Sequence, residues 1–244
     1  MKQIFAARLA DFRIHGGSRM TLPALLLFCL FAFFNPSIHA ADLGLVSVWN
    51  QDGFAAYEAG QNAKAARMFN KAAQAGDASA KYNLAVMNIR AETRSISRSK
   101  SLRWLRQSAH AGFAPAQFML GELMESGDFT ELNKGSRWSA LQYFEFAAAQ
   151  GHADAAHTLA LKYLLGRGIS PSDERAAYWY TQAARAGDGA AQYTLASFYE
   201  RGTGVELDLQ QALQWYRAAA RQGDVAAREK AKFLTGQLFR ERKS

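Results

Sequence analysis

Five glycines, Gly76, Gly112, Gly151, Gly187 and Gly223, stand 36, 39, 36 and 36 residues apart, and the residues around each one recur with it. Seven positions before each is a large apolar or aromatic side chain (Phe69, Leu105, Phe144, Tyr180, Tyr216), and eight before stand Met68, Trp104, Tyr143, Trp179 and Trp215. Three before is always alanine, and eleven before is alanine or serine. Four after comes Ala80, Ala116, Ala155, Ala191 or Ala227, and eight after comes Leu84, Leu120, Leu159 or Leu195. Offsets of three, four and eight share one face of a 3.6-residue helix, so each unit is a pair of amphipathic helices. Repetition at this period admits a stack in which every hairpin buries its neighbour's apolar face. The expected fold is all-α: an α/α superhelical solenoid of five helical hairpins plus a C-terminal capping helix.

The punctuation agrees with that reading. Each closing glycine supplies a left-handed cap that a Cβ would hinder. Asp77, Asp188 and Asp224 then open the next first helices, while Ser97, Ser136, Ser172 and Asp208 stand where the second helices need N-caps. Nine residues after each glycine comes Ala85, Gly121, Ala160 or Ala196, small enough for two helices to cross closely. The Gly166-Arg-Gly168 and Gly202-Thr-Gly204 pairs are turns needing positive φ; no strand precedes them and no Lys-Ser/Thr follows, unlike a phosphate cradle.

These residues carry a resemblance. The Ala-x-x-x-Leu-Ala/Gly run, the Gly-x-Gly-aliphatic turn, the following Ala and the Trp/Tyr-Tyr-x-x-Ala-Ala-x-x-Gly finish are similar to Sel1-like repeats, longer-turned relatives of tetratricopeptide repeats. The copies are residues 77–112, 113–151, 152–187 and 188–223. Residues 41–76, with Gly53-Phe-Ala-Ala-Tyr-Glu-Ala-Gly60-Gln-Asn, resemble a tetratricopeptide hairpin with its short turn. The third copy inserts three residues after Gly127, and the second replaces its glycine turn with Arg90-Ala-Glu-Thr-Arg-Ser-Ile-Ser-Arg-Ser-Lys100. Residues 224–244 read as the capping helix, with Glu229 and Lys232 where earlier copies are apolar. The resemblance implies a superhelix used for protein–protein contacts, in bacteria often within the cell envelope.

Residues 1–40 have the order of a secretory signal peptide: Lys2, Arg8, Arg13 and Arg19, then the apolar run Leu22–Phe34, then Asn35-Pro36 and Ser37-Ile-His-Ala40. The thirteen residues of that run reach about 20 Å as a helix, short of a ~30 Å hydrocarbon core, which favours cleavage over the alternative of an N-terminal membrane anchor. The expected location is periplasmic or secreted. The only cysteine, Cys29, lies in this run, so the mature chain has no disulfide, thiol chemistry or cysteine zinc site. Cleavage lowers the formal charge from +8 to +5. Outside the cytoplasm such a balance does not point to nucleic acid; it faces acidic lipid, polysaccharide or protein.

Two groups of side chains are candidates for binding. Tyr82, Phe118, His157 and Tyr193 recur six residues after successive closing glycines, ~160° around the wheel from the buried leucine. They line the concave face in one reading and pack against the adjacent hairpin in the other. Arg90, Arg94, Arg98, Lys100, Arg103 and Arg106 concentrate positive charge with only Glu92 nearby, as either a solvated helix end or a dock for an anionic surface. Catalytic groupings are sparse: His152 and His157 lie ~140° apart on a helix and cannot share a metal. The sequence therefore reads as no enzyme and needs no cofactor or metal. It reads as an adaptor for an envelope protein, with glycan binding or cell-wall or β-lactam hydrolysis as the alternatives.

Overall fold

The structure, a computed structural model, describes residues 40–93, 96–127, 132 and 138–241, and among these it contains helices and no strand. The helices are α1 (Ala40–Glu58), α2 (Asn62–Gln74), α3 (Ala78–Ile89), α4 (Arg98–His110), α5 (Ala114–Ser126), α6 (Ala140–Ala149), α7 (Ala153–Leu165), α8 (Asp173–Arg185), α9 (Gly189–Arg201), α10 (Leu209–Arg221) and α11 (Val225–Glu241). From Leu45 onward the chain is one compact unit. Each helix from α2 to α11 packs on the next, and first helices of adjacent hairpins also meet, as α3 does α5. This is the α/α solenoid expected from the repeat. Among the described residues no helix is long and apolar enough to cross a membrane; the signal-peptide reading of residues 1–40 falls, apart from Ala40, outside them.

The caps fall where short polar side chains precede apolar stripes. Asp77, Asp188 and Asp224 accept from the backbone N–H groups of Ala80, Ala191 and Ala227 at 2.6, 3.0 and 2.8 Å. Ser97, Ser172 and Asp208 accept at the second helices from Lys100, Arg175 and Gln211. The third repeat differs: Ser136 lies outside the described residues, and the cap of α6 is Ser139, in a capping box with Gln142. The insertion shifts the start of this helix by three residues and leaves it ten long.

The core follows the sequence stripes. The leucines eight after each glycine and the alanines four after are fully buried, as are the rings and leucine seven before. One very close crossing lies in the third repeat, where a Cβ on Gly121 would stand 2.8 Å from the Phe144 ring. Gly53 makes the same hole for Phe69 in the first hairpin, 2.6 Å from where its Cβ would be. A ring seated on bare backbone brings two helices together with no void between them.

Buried glutamines join first and second helices. Gln192 donates to the Ala184 carbonyl at 3.1 Å and accepts from Gln222 at 2.9 Å. Gln117 repeats this, donating to Ala109 at 3.1 Å and accepting from Gln150 at 2.8 Å. In the repeat between them the two positions are Ala156 and Ala186, so that pair is apolar in both members. Leaving one polar partner alone in the core costs more than removing both.

The turn of the second repeat shows what its missing glycines did. Ala91 has φ +58°, in register with Gly127, Gly166 and Gly202 at +78°, +66° and +69°. An L-residue held there costs about 1–2 kcal/mol. Ala91→Gly should therefore stabilise the fold by about 1 kcal/mol and raise Tm by about 2–4 °C, measurable by thermal denaturation. Gln222→Ala, which strands the Gln192 side chain, should destabilise by about 1–2 kcal/mol in the same assay, and Gln192→Ala/Gln222→Ala should recover part of that loss.

Candidate functional site

The four rings of the column occupy equivalent places, half-buried where a first helix meets its own second helix and the start of the next repeat. Tyr82 contacts Phe113 edge-on at 5.4 Å between ring centroids. Phe118 stacks on His152 at 4.8 Å and tilts against Phe144 at 5.8 Å. His157 meets the Tyr180 ring at 5.6 Å, and Tyr193 meets Tyr216 at 5.3 Å. Each ring thus has one side against the stack and some surface left to solvent.

The residue directly after each closing glycine completes these junctions, a role not read from the sequence for His152. Asp188 uses one carboxylate oxygen to cap α9 and the other to hold His157 Nδ1 at 2.5 Å. His152 accepts from the Ala155 N–H through Nδ1 at 3.4 Å while its face lies on Phe118. Burial holds the His152 imidazole below the usual histidine range, against the pull of the Asp154 carboxylate. Burial also raises the Tyr82 and Tyr180 hydroxyls, Tyr82 with Arg90 opposing and Tyr180 with Asp188 assisting. Nearby Glu122 is raised by burial and by Asp154. On the first helices Lys162 pairs with Glu125 at 2.5 Å and lies over the Phe144 ring.

The basic segment divides into two kinds of side chain. Arg106 donates to the Leu132 carbonyl at 2.7 Å, and Leu132 itself is buried among Leu102, Leu105, Leu120 and Tyr143. Lys100 lies over Trp104, 4.4 Å from the ring centroid. These two cations serve the fold, and the burial of Leu132 had no periodic signal in the inserted loop. Arg90, Arg98 and Arg103 are exposed; Arg94 lies outside the described residues. Glu92, the one acid in the segment, accepts from the Tyr57 hydroxyl at 3.2 Å and so ties the turn to the first hairpin.

A second polar centre lies toward the C-terminus. Tyr216 donates to Glu200 at 2.6 Å, and Lys230 pairs with the same carboxylate at 2.9 Å, linking α9, α10 and α11. Burial and this carboxylate push the Tyr216 hydroxyl well above the usual phenol range. Burial alone would raise Glu200, but its bonds from Tyr216 and Lys230 prevail and hold it below the usual carboxylate range.

The Sel1 repeat model matches five consecutive segments, residues 40–77, 78–113, 114–152, 153–188 and 189–224. The chain belongs to the Sel1-repeat family. Its first hairpin, which reads in sequence as tetratricopeptide-like, is included in that match. A Sel1 repeat protein from Oxalobacter formigenes superposes with a TM-score of 0.62 at 29% identity, over 70% of this chain and 49% of that one. The protein c5321, a protective antigen present in uropathogenic Escherichia coli strains, superposes with a TM-score of 0.60 at 27% identity, over 81% of this chain and 43% of that one. This Sel1-repeat chain thus spans about half the length of either relative. No curated protein sequence matches it.

His152 gives this region a pH dependence whose sign is fixed. Its folded pKa lies below the ordinary 6.5, so the neutral ring's stabilisation is complete above that value and is lost as pH falls toward the folded pKa. Protonation also turns the capping acceptor into a donor. Between pH 7 and pH 5, His152→Asn, a cap that does not titrate, should lose about 1–3 °C less in Tm than the wild type, as thermal melts at both pH values would show.

Proposed function

We propose that this Sel1-repeat protein is a non-enzymatic scaffold of the bacterial cell envelope, which binds a partner protein through its first-helix face and the exposed arginines of the second repeat. Proteins of this family are in general protein–protein interaction scaffolds. The observation that carries the reading is the uninterrupted stack of five hairpins. A rigid curved surface of repeated helices suits recognition of an extended or helical partner. The column of Tyr82, Phe118, His157 and Tyr193 supplies partly exposed rings on that surface, and Arg90, Arg98 and Arg103 add positive charge at one end. The envelope setting rests on the signal-like order of residues 1–40. The E. coli relative being a protective antigen is in keeping with it.

Photocrosslinking from position 103 in living cells, followed by fractionation, tests this reading. Discrete protein adducts in the envelope fraction are expected; a chain confined to the cytosol, or turnover of muropeptides or nitrocefin by the pure protein, would overturn it. Arg90→Glu/Arg103→Glu should weaken capture of the crosslinked partner about tenfold, and wild-type capture should fall as salt rises from about 50 to about 500 mM. For the rings, the measured quantity is binding per folded molecule. If Tyr82→Ala and Tyr193→Ala lower the melting temperature and leave that quantity unchanged, the column is packing alone.

A further inference from the structure

The face of α10 and α11 beyond the fifth hairpin departs from every inner junction. In the inner repeats the alanine three before the closing glycine is at most 5% exposed, and the residue nine after it is Ala85, Gly121, Ala160 or Ala196, all buried. What covers the first-helix positions of such a junction is the repeat's own second helix, as Phe144 covers Gly121 and Gln222 closes over Gln192. On α10 and α11 the corresponding residues are Ala220, Arg228 in the place of Lys81, Gln117, Ala156 and Gln192, and Lys232 in the place of the four small residues. Ala220 is partly exposed, and Arg228 and Lys232 are exposed. Together with Arg217, Arg221 and Ala231 they line a groove of about 570 Å³. A second hollow of about 260 Å³ continues it, sharing Arg217 and lined by Leu213, Leu238 and Phe239, the last 60% exposed.

We propose that this groove receives an acidic amphipathic helix from a partner protein, seated as a second helix sits in the inner repeats. The place has the dimensions of a helix because inner junctions of the same backbone hold one. The preference for acid follows from the cations that line the place, Arg217, Arg221, Arg228 and Lys232. Where Gln117 and Gln192 take a neutral donor from Gln150 and Gln222, Arg228 offers a cation and asks the incoming helix for a carboxylate. Arg221 and Lys232 flank it. Arg217 donates to Thr235 at 3.3 Å, and Lys232 pairs with Glu229, whose side chain is 63% exposed. The apolar residues Leu213, Leu238 and Phe239 give the other end of the helix an oily seat. Residues 1–39 carry Lys2, Arg8, Arg13 and Arg19 against Asp11 alone, so charge argues against that segment as the occupant. The inference rests on the scaffold reading and adds a second surface with a defined partner chemistry.

The test is a phage library of 16-residue helix-forming peptides, panned on the full chain and then measured as fluorescein-labelled synthetic peptides by anisotropy. Enriched peptides should carry several Glu or Asp residues and leucines at i, i+3 and i+4 spacing. Their affinity should fall about tenfold or more on Arg221→Glu/Arg228→Glu/Lys232→Glu, and several-fold on Arg228→Gln, which places there the residue of the third and fifth repeats. Circular dichroism melts establish that both variants are folded. Peptides without acidic enrichment, no enrichment at all, or equal affinity for both variants would overturn the groove. Peptides weakened instead by Tyr82→Ala or Arg103→Glu would overturn it while leaving the scaffold reading standing. Binding of phosphatidylglycerol vesicles that depends on Arg228, with no peptide binding, would overturn it in favour of a lipid surface.

Discussion

The structure depends on one kind of contact, a large ring pressed onto a residue with little or no side chain on the facing helix. Phe144 over Gly121 and Phe69 over Gly53 are its extreme forms, with no room for even a methyl group unless the ring moves. Dispersion and the loss of hydrated apolar surface both reward that closeness. Because each hairpin supplies rings to its own first helix and small residues to the next junction, the core runs as successive clusters along the stack. Polar groups enter closed in pairs, as with Gln192 and Gln222, in threes, as with Tyr216, Glu200 and Lys230, or turned onto a main-chain oxygen, as Ser108 is onto that of Ala78.

Most of the fold was legible in the sequence because the buried positions recur at helical offsets. Period, stripe and caps all pointed to the same hairpin, and Asp77, Ser97, Ser172, Asp188, Asp208 and Asp224 cap the helices they precede. The exceptions fall where periodicity ends. Ser139 rather than Ser136 caps α6, because three inserted residues moved the helix start. Leu132 turns inward from the same loop, held by Arg106, through a contact 26 residues distant that no local pattern announces. Ala91 occupies a glycine's conformation, and a lost glycine in sequence does not say whether the turn changed or was kept under strain.

The candidate surfaces were less legible, since a side chain's neighbours decide whether it serves the fold or faces outward. The column was visible as a period of rings, but its second contact, with the first residue of the following repeat, comes from the crossing geometry. The basic segment likewise reads as one block of charge, yet Arg106 and Lys100 are turned to a carbonyl and an indole, and Arg90, Arg98 and Arg103 remain outside. The pairing of Gln117 with Gln150 and of Gln192 with Gln222 had a trace in the sequence, the matched Ala156 and Ala186 of the repeat between.

Those glutamine knots also bear on how long such a chain can grow. Each is completed inside one unit, and what it takes from the preceding unit is main-chain oxygen, of Ala109 in one and of Ala184 and Gly187 in the other. Every unit offers that oxygen whatever its side chains are. A hairpin can accordingly be copied or excised without rematching a lock to a key across the seam, which makes copy number a free variable. Longer relatives, about half of each covered by this chain, are what that freedom permits.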